Sequence, residues 1–226
     1  MISNGGIKLN SNRKILKTTV GIAVFSALAF IVSFAVRIPV QFLTFDAKDA
    51  VIAIAAFVYG PVSAVLMALI AALIELVTIS DTGVYGFIMN FASSATFALI
   101  ASAVYKFKKS FLGSVVGLYG AVVGTIGVMM LLNLFVTPFY MGVPRSVVVD
   151  LIPTLLLPFN AAKALMNAAI ALLLYKPLTH ALRRARLMEN VGEHSLKFNK
   201  RSAMSLVIGG ATLVVAIVIF VILKLV

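Results

Sequence analysis

The chain has 226 residues, 62% of them hydrophobic and only 12% charged, with a mean hydropathy of +1.12. A soluble domain of this length cannot cover so much apolar surface with so few polar groups, and the apolar residues fall in long runs instead of the alternating ten-residue segments of a β-barrel. The formal charge is +12 with no cysteine; the bases flank apolar spans, so they read as topology signals and attraction to anionic membrane lipid, not as a nucleic-acid surface, and disulfides, thiolate metal sites and redox pairs are excluded.

The pattern predicts an all-α integral membrane protein, with apolar spans at 18–36, 50–59, 61–79, 84–104, 112–136, 150–175 and 204–225. The first span follows Lys8, Arg13, Lys14 and Lys17, is too long for a signal-peptide core and has no Ala-x-Ala site after it, so it is expected to be retained. The stretch 50–79 is expected to be two helices. As one helix it would be about 45 Å long against a hydrocarbon core of about 30 Å, and Gly60-Pro61 interrupts it. The two-helix reading also places three basic clusters on the side of the N-terminus: the four just named, then Lys106, Lys108 and Lys109, then the group from Lys176 to Arg201. By the positive-inside rule the N-terminus is then cytoplasmic in a multi-pass plasma-membrane protein. Asp46, Asp49, Asp81 and Asp150 fall at the opposite, outer side, where each alone reads as solvated rim, and Glu75 lies near the outer end of the third span.

The sixth span carries the most informative polar stripe. Asn160, Lys163 and Asn167 recur at i, i+3 and i+7, one helical face. A cation at mid-membrane costs about 2.5–3.5 kcal/mol on insertion scales, so Lys163 is expected to face a cavity; Asn167 reads more readily as an interhelical hydrogen bond. Asn90 in the fourth span and Asn133 in the fifth reach similar depth. Three amides and an ammonium suit a neutral heterocycle with carbonyl and imide groups. Phe42, Phe45, Tyr85, Phe87, Phe139 and Tyr140 surround the same end, either as an interfacial belt or as stacking partners. The loop 41–49 is a lid or a connector. In the first span Ala23 and Ala27 form an Ala-x-x-x-Ala pair suited to close helix approach. A Gly-x-x-x-x-Gly-Lys-[Ser/Thr] phosphate loop, a nucleophile–base pair, a metal-ligand cluster and an obvious inverted repeat are all missing, so the chain does not read as an enzyme and no cofactor or metal is expected.

Ala23-x-x-x-Ala27, Phe42-Leu-Thr-Phe-Asp46 followed by Asp49, Phe57-Val-Tyr-Gly-Pro61, Asn133 with Pro138-Phe-Tyr140, and Leu157-Pro-Phe-Asn160-Ala-Ala-Lys163 together resemble the substrate-binding S component of energy-coupling factor (ECF) vitamin transporters, and most closely the riboflavin-specific members. The resemblance spans about residues 15–185. It implies a six-helix S-component bundle that binds riboflavin as substrate from outside, with the site at Thr44, Phe45 and Asp46 of the first loop, Asn133, Asn160 and Lys163, to which the residue pattern adds Asn90. It implies that Ala23 and Ala27 meet a transmembrane coupling protein that carries two cytoplasmic ATPases, whose ATP topples the loaded bundle to release vitamin inside. The expected organisation is a cytoplasmic segment 1–17, a six-helix substrate-binding domain 18–185, a basic cytoplasmic linker 186–203 and a seventh transmembrane helix 204–226. Typical members have six helices, and the seventh is expected to pack loosely at the periphery. The alternatives are an S component for another vitamin or heterocycle, and a self-sufficient secondary transporter with Lys163 and Glu75 as coupling charges.

Overall fold

The computed structural model describes residues 4–184 and 200–225, and they are overwhelmingly helical. Helix α1 (Asn4–Ala35) leads into a small hairpin, β1 (Ile38–Val40) and β2 (Leu43–Phe45), followed by α2 (Lys48–Tyr59), α3 (Pro61–Thr78), α4 (Gly83–Phe107), α5 (Phe111–Met141) and α6 (Arg145–Leu151). A π-helical turn (Ile152–Leu156) joins α6 to α7 (Leu157–Arg184), and α8 (Lys200–Leu225) is the last described element. Among the described residues six helical stretches are long and apolar enough to cross a membrane: Ile15–Ala35, Pro61–Thr78, Gly83–Phe107, Phe111–Met141, Arg145–Tyr175 and Ala203–Lys224. Their outward faces carry exposed Val24, Leu66, Val123, Leu131 and Val218, as lipid-facing surfaces require. The boundary expected after residue 17 falls inside α1, and the expected basic linker lies outside the described residues up to Asn199.

Helix α2 explains the bundle's layout. At 12 residues it is too short to span, yet every residue from Lys48 to Phe57 is buried. A helix apolar on all sides belongs in the interior, and α1, α3, α4 and α7 pack around this one. Its alanines at 50, 53, 55 and 56 are almost fully enclosed and keep the neighbours close.

The turn between α2 and α3 is where the sequence placed it. Gly60 has φ 88° and ψ 175°, and Pro61 opens α3. This backbone conformation is essentially confined to glycine, and holding another residue there costs about 1–3 kcal/mol. Gly60→Ala should therefore lower stability by about that amount, read as a reduced midpoint of thermal unfolding in detergent. An unchanged midpoint would mean that the turn relaxes freely.

Two elements depart from expectation. Part of the loop 41–49 is ordered as an antiparallel pair, with Ile38 opposite Phe45, Pro39 opposite Thr44 and Val40 opposite Leu43. The two-residue turn has a positive φ only at Gln41 (52°), the pattern of a type II′ hairpin turn. The second departure is α8, which is not loosely attached. It lies along α7, and Ile219, Phe220 and Leu223 share a cluster with Val40, Phe45, Leu155 and Phe159.

Candidate functional site

At the hairpin end of the bundle a cavity of about 300 Å³ opens between the hairpin, the α3–α4 turn, α5 and α7. That is the lower end of the size range for small-molecule pockets, about 300–1,000 Å³. Asn90, Asn133, Asn160 and Lys163 line it, as do Thr44 and Asp46 of the hairpin side. Of the residues expected in the site, these six are brought together around one space.

The polar face of α7 is set up by the irregular turn before it. In Ile152–Leu156 the Leu157 amide donates to the Ile152 carbonyl, five residues back, and Pro158 has no amide to donate. Such a turn adds a residue to the helical register and re-aims the side chains of the helix beyond it. Asn160 and Lys163 then point into the cavity, 5% and 6% exposed. Asn160 donates through Nδ2 to the Leu156 carbonyl at 2.7 Å. Asn133 donates to the Met129 carbonyl at 2.7 Å and accepts from the Thr137 hydroxyl at 2.8 Å. Each amide is thus oriented by its own helix, with further hydrogen-bonding capacity left for a ligand. Asn167, one turn deeper, plays the structural part expected of it. Its Nδ2 donates to the Asp46 carbonyl at 3.0 Å and its Oδ1 accepts from the Ala50 amide at 2.9 Å, which ties the start of α2 to α7.

Lys163 is not alone. Its Nζ lies 2.8 Å from Asp46 Oδ2. Lys48 Nζ lies 3.3 Å from the same oxygen and 2.7 Å from Glu75 Oε2, and Asn90 Nδ2 donates to Glu75 Oε2 at 3.2 Å. Asp49 accepts from the Ser94 hydroxyl. The network joins the hairpin, α2, α3, α4 and α7. Burial alone would raise the Asp46 pKa, but the Lys163 and Lys48 ammoniums outweigh it and hold the carboxyl well below the usual carboxylate range. A group depressed in this way loses its stabilising contribution only as pH falls through its folded-state pKa, so the Asp46 carboxylate stays ionised across the neutral range.

The outer-rim reading of the acids therefore holds for two and fails for two. Asp81 is exposed and pairs with Arg37 at 2.8 Å, and Asp150 is exposed. Asp46 and Asp49 are 3% and 2% exposed. Lys48 was the residue sequence reasoning missed. The available signal was Glu75: a carboxylate in an apolar span needs a cation, and Lys48 opens the helix packed beside it.

The aromatics separate by face. Phe42, Tyr85 and Tyr140 line the cavity, with Tyr140 6.3 Å from Phe42 and 6.2 Å from Tyr85 between ring centroids. Phe87 stacks on Phe91, and Phe139 is exposed. Phe45, expected in the site, does not line the cavity. Strand residues alternate in direction, so with Thr44 facing the cavity Phe45 turns to the back, where it meets Phe220 of α8 at 5.6 Å. Ala23 and Ala27 are both exposed on α1, beside buried Phe25 and Ser26. That leaves a small-residue stripe on the outside of the bundle.

Comparison with known proteins agrees with this architecture. The family described as ECF transporter, substrate-specific component, matches residues 17–179. A curated relative, the riboflavin transporter RibU of Staphylococcus aureus (strain TCH60), is 32% identical over 193 residues, which cover 80% of this chain and 99% of the relative. A solved structure described as the S component of a bacterial ECF transporter superposes with a TM-score of 0.64 at 31% identity, covering 74% of this chain and 98% of that one. The helical bundle, its cavity and these matches together place the chain in the family of ECF transporter substrate-specific components, as a multi-pass membrane protein.

Proposed function

We propose that this chain is the riboflavin-binding S component of an ECF importer in the bacterial plasma membrane. On this reading riboflavin enters at the hairpin end, which faces outward, while the N-terminus is cytoplasmic. Release to the inside is driven by a transmembrane coupling protein with two cytoplasmic ATPases, and the exposed Ala23–Ala27 stripe of α1 is the contact with the coupling protein. Riboflavin is substrate, and the protein contributes binding instead of catalysis.

The observation that carries the proposal is the set of Asn90, Asn133, Asn160 and Lys163 on the wall of one cavity, capped by the hairpin, in a chain so similar to a riboflavin transporter. An isoalloxazine ring presents carbonyl acceptors and an imide N–H along one flat edge. Asparagine amides offer both donors and acceptors, and an ammonium donates only. Aromatic rings at the mouth suit its flat faces. The hydroxyls of its ribityl chain suit polar groups nearer the opening, among them Thr44 and Gln41. The basic clusters at one end of the spans support the orientation.

The test is direct. Purified protein should carry a yellow flavin or, once stripped, quench riboflavin fluorescence saturably at one site per chain. No quenching, together with saturable binding of a different vitamin, would assign the chain to another ligand of the same family. Proton- or sodium-dependent uptake by the chain alone in liposomes would instead favour a secondary transporter.

A further inference from the structure

We infer that α8 clamps the β1–β2 hairpin over the cavity and so governs how fast ligand leaves, with Phe220 as the positioning residue. The family model matches residues 17–179, so α8 lies beyond the segment it covers. It is nonetheless built into the bundle at three levels. Just before mid-length Gly209 lies so close to α7 that a Cβ there would stand 3.0 Å from Leu173 Cγ and 3.4 Å from the Ala169 carbonyl oxygen. At mid-length Thr212 hydrogen-bonds the Tyr119 hydroxyl of α5. At the hairpin end Phe220 meets Phe45 edge-on, at 5.6 Å and 63°.

The third contact is the one with functional leverage. A two-stranded hairpin is marginally stable by itself, so this one needs backing. Its cavity side carries Thr44, and its back carries Val40 and Phe45, 4% and 1% exposed. The seat that α8 offers to Phe45 therefore sets the position of its chain neighbours Thr44 and Asp46. Asp46 in turn holds Lys163 at 2.8 Å. A loosened seat would free the hairpin to swing from the mouth without touching any residue that lines the cavity.

The chain has no cysteine, so a thiol introduced at buried Val40 is the sole reactive site for a maleimide. In full-length Val40→Cys protein in detergent, adding Phe220→Ala should raise the labelling rate about three- to tenfold, the scale expected for losing an aromatic pair and its packing. Phe220→Leu should give a smaller rise, and it serves if the alanine variant folds poorly. Val218→Ala, on the half-exposed face of α8, should change nothing. Riboflavin dissociation, followed as recovery of fluorescence, should speed up by a similar factor at undiminished bound amplitude, whereas simple misfolding would lower the amplitude. Equal labelling with and without Phe220 overturns the clamp, and faster labelling with unaltered release overturns its control of exchange. The release arm rests on the proposed riboflavin site. A parent protein that binds no riboflavin would defeat that reading, and the labelling arm, which needs no ligand, would still decide the clamp.

Discussion

Lys163→Ala should weaken riboflavin binding by about 1–3 kcal/mol, the usual scale for leaving a buried polar partner unsatisfied, or roughly five- to 150-fold in Kd. Lys163 Nζ is fixed at 2.8 Å from Asp46 Oδ2 while its side chain is only 8% exposed, so it is presented to the cavity already oriented and already stripped of most of its water. A ligand acceptor meeting it pays little further ordering cost, which is why the loss should appear in affinity. Lys163→Arg should recover little. A guanidinium is larger and presents a planar fork, and the carboxylate opposite it is shared with Lys48 at 3.3 Å. Titration of riboflavin quenching gives the number, and a thermal melt of the ligand-free variant separates lost binding from lost folding. Unchanged affinity would remove Lys163 from the site.

The fold was largely legible because membrane spans are written in composition. The break at Gly60-Pro61, the apolar runs and the basic flanks are local signals, and the observed helices α2 and α3 meet at the expected residue. The polar face of α7 was legible for a related reason. A lysine in an apolar helix is costly, so its presence alone announces a partner. What could not be read is which partner. Asp46 is 117 residues from Lys163 in sequence, and from the sequence alone Asp46 is one of several acids in or near the turns between spans. Thr44 and Phe45 are not separable in the sequence because a loop has no fixed side-chain phase; only once residues 43–45 pair with 38–40 does alternation send them to opposite faces. The tight packing of α8 was invisible for a similar reason. An apolar helix facing lipid and one facing protein have the same composition, and the difference lies in Gly209, Thr212 and Phe220, each unremarkable by itself.

The Lys48–Glu75 pair should show the largest effect on stability. Both side chains are within 5% of complete burial, with Nζ at 2.7 and 2.9 Å from the two carboxylate oxygens. A buried pair contributes little net stability relative to apolar residues of the same shape, because desolvating two charges is expensive, but breaking it strands one charge and costs about 3–5 kcal/mol. Lys48→Met should therefore destabilise strongly, since it leaves Glu75 without its cation and Asp46 with Lys163 alone. Glu75→Gln should cost less. The amide oxygen still accepts from Asn90 Nδ2, now 3.2 Å from Oε2, and Lys48 keeps Asp46. The double variant should be more stable than the sum of the two losses predicts, because the charge that Lys48→Met strands is the one Glu75→Gln removes. Denaturant- or SDS-driven unfolding of the four proteins closes the cycle. Strict additivity would show that the two side chains do not act as a pair, and would move the anchor of α2 from this ion pair to the Asn167 clamp on Asp46 and Ala50.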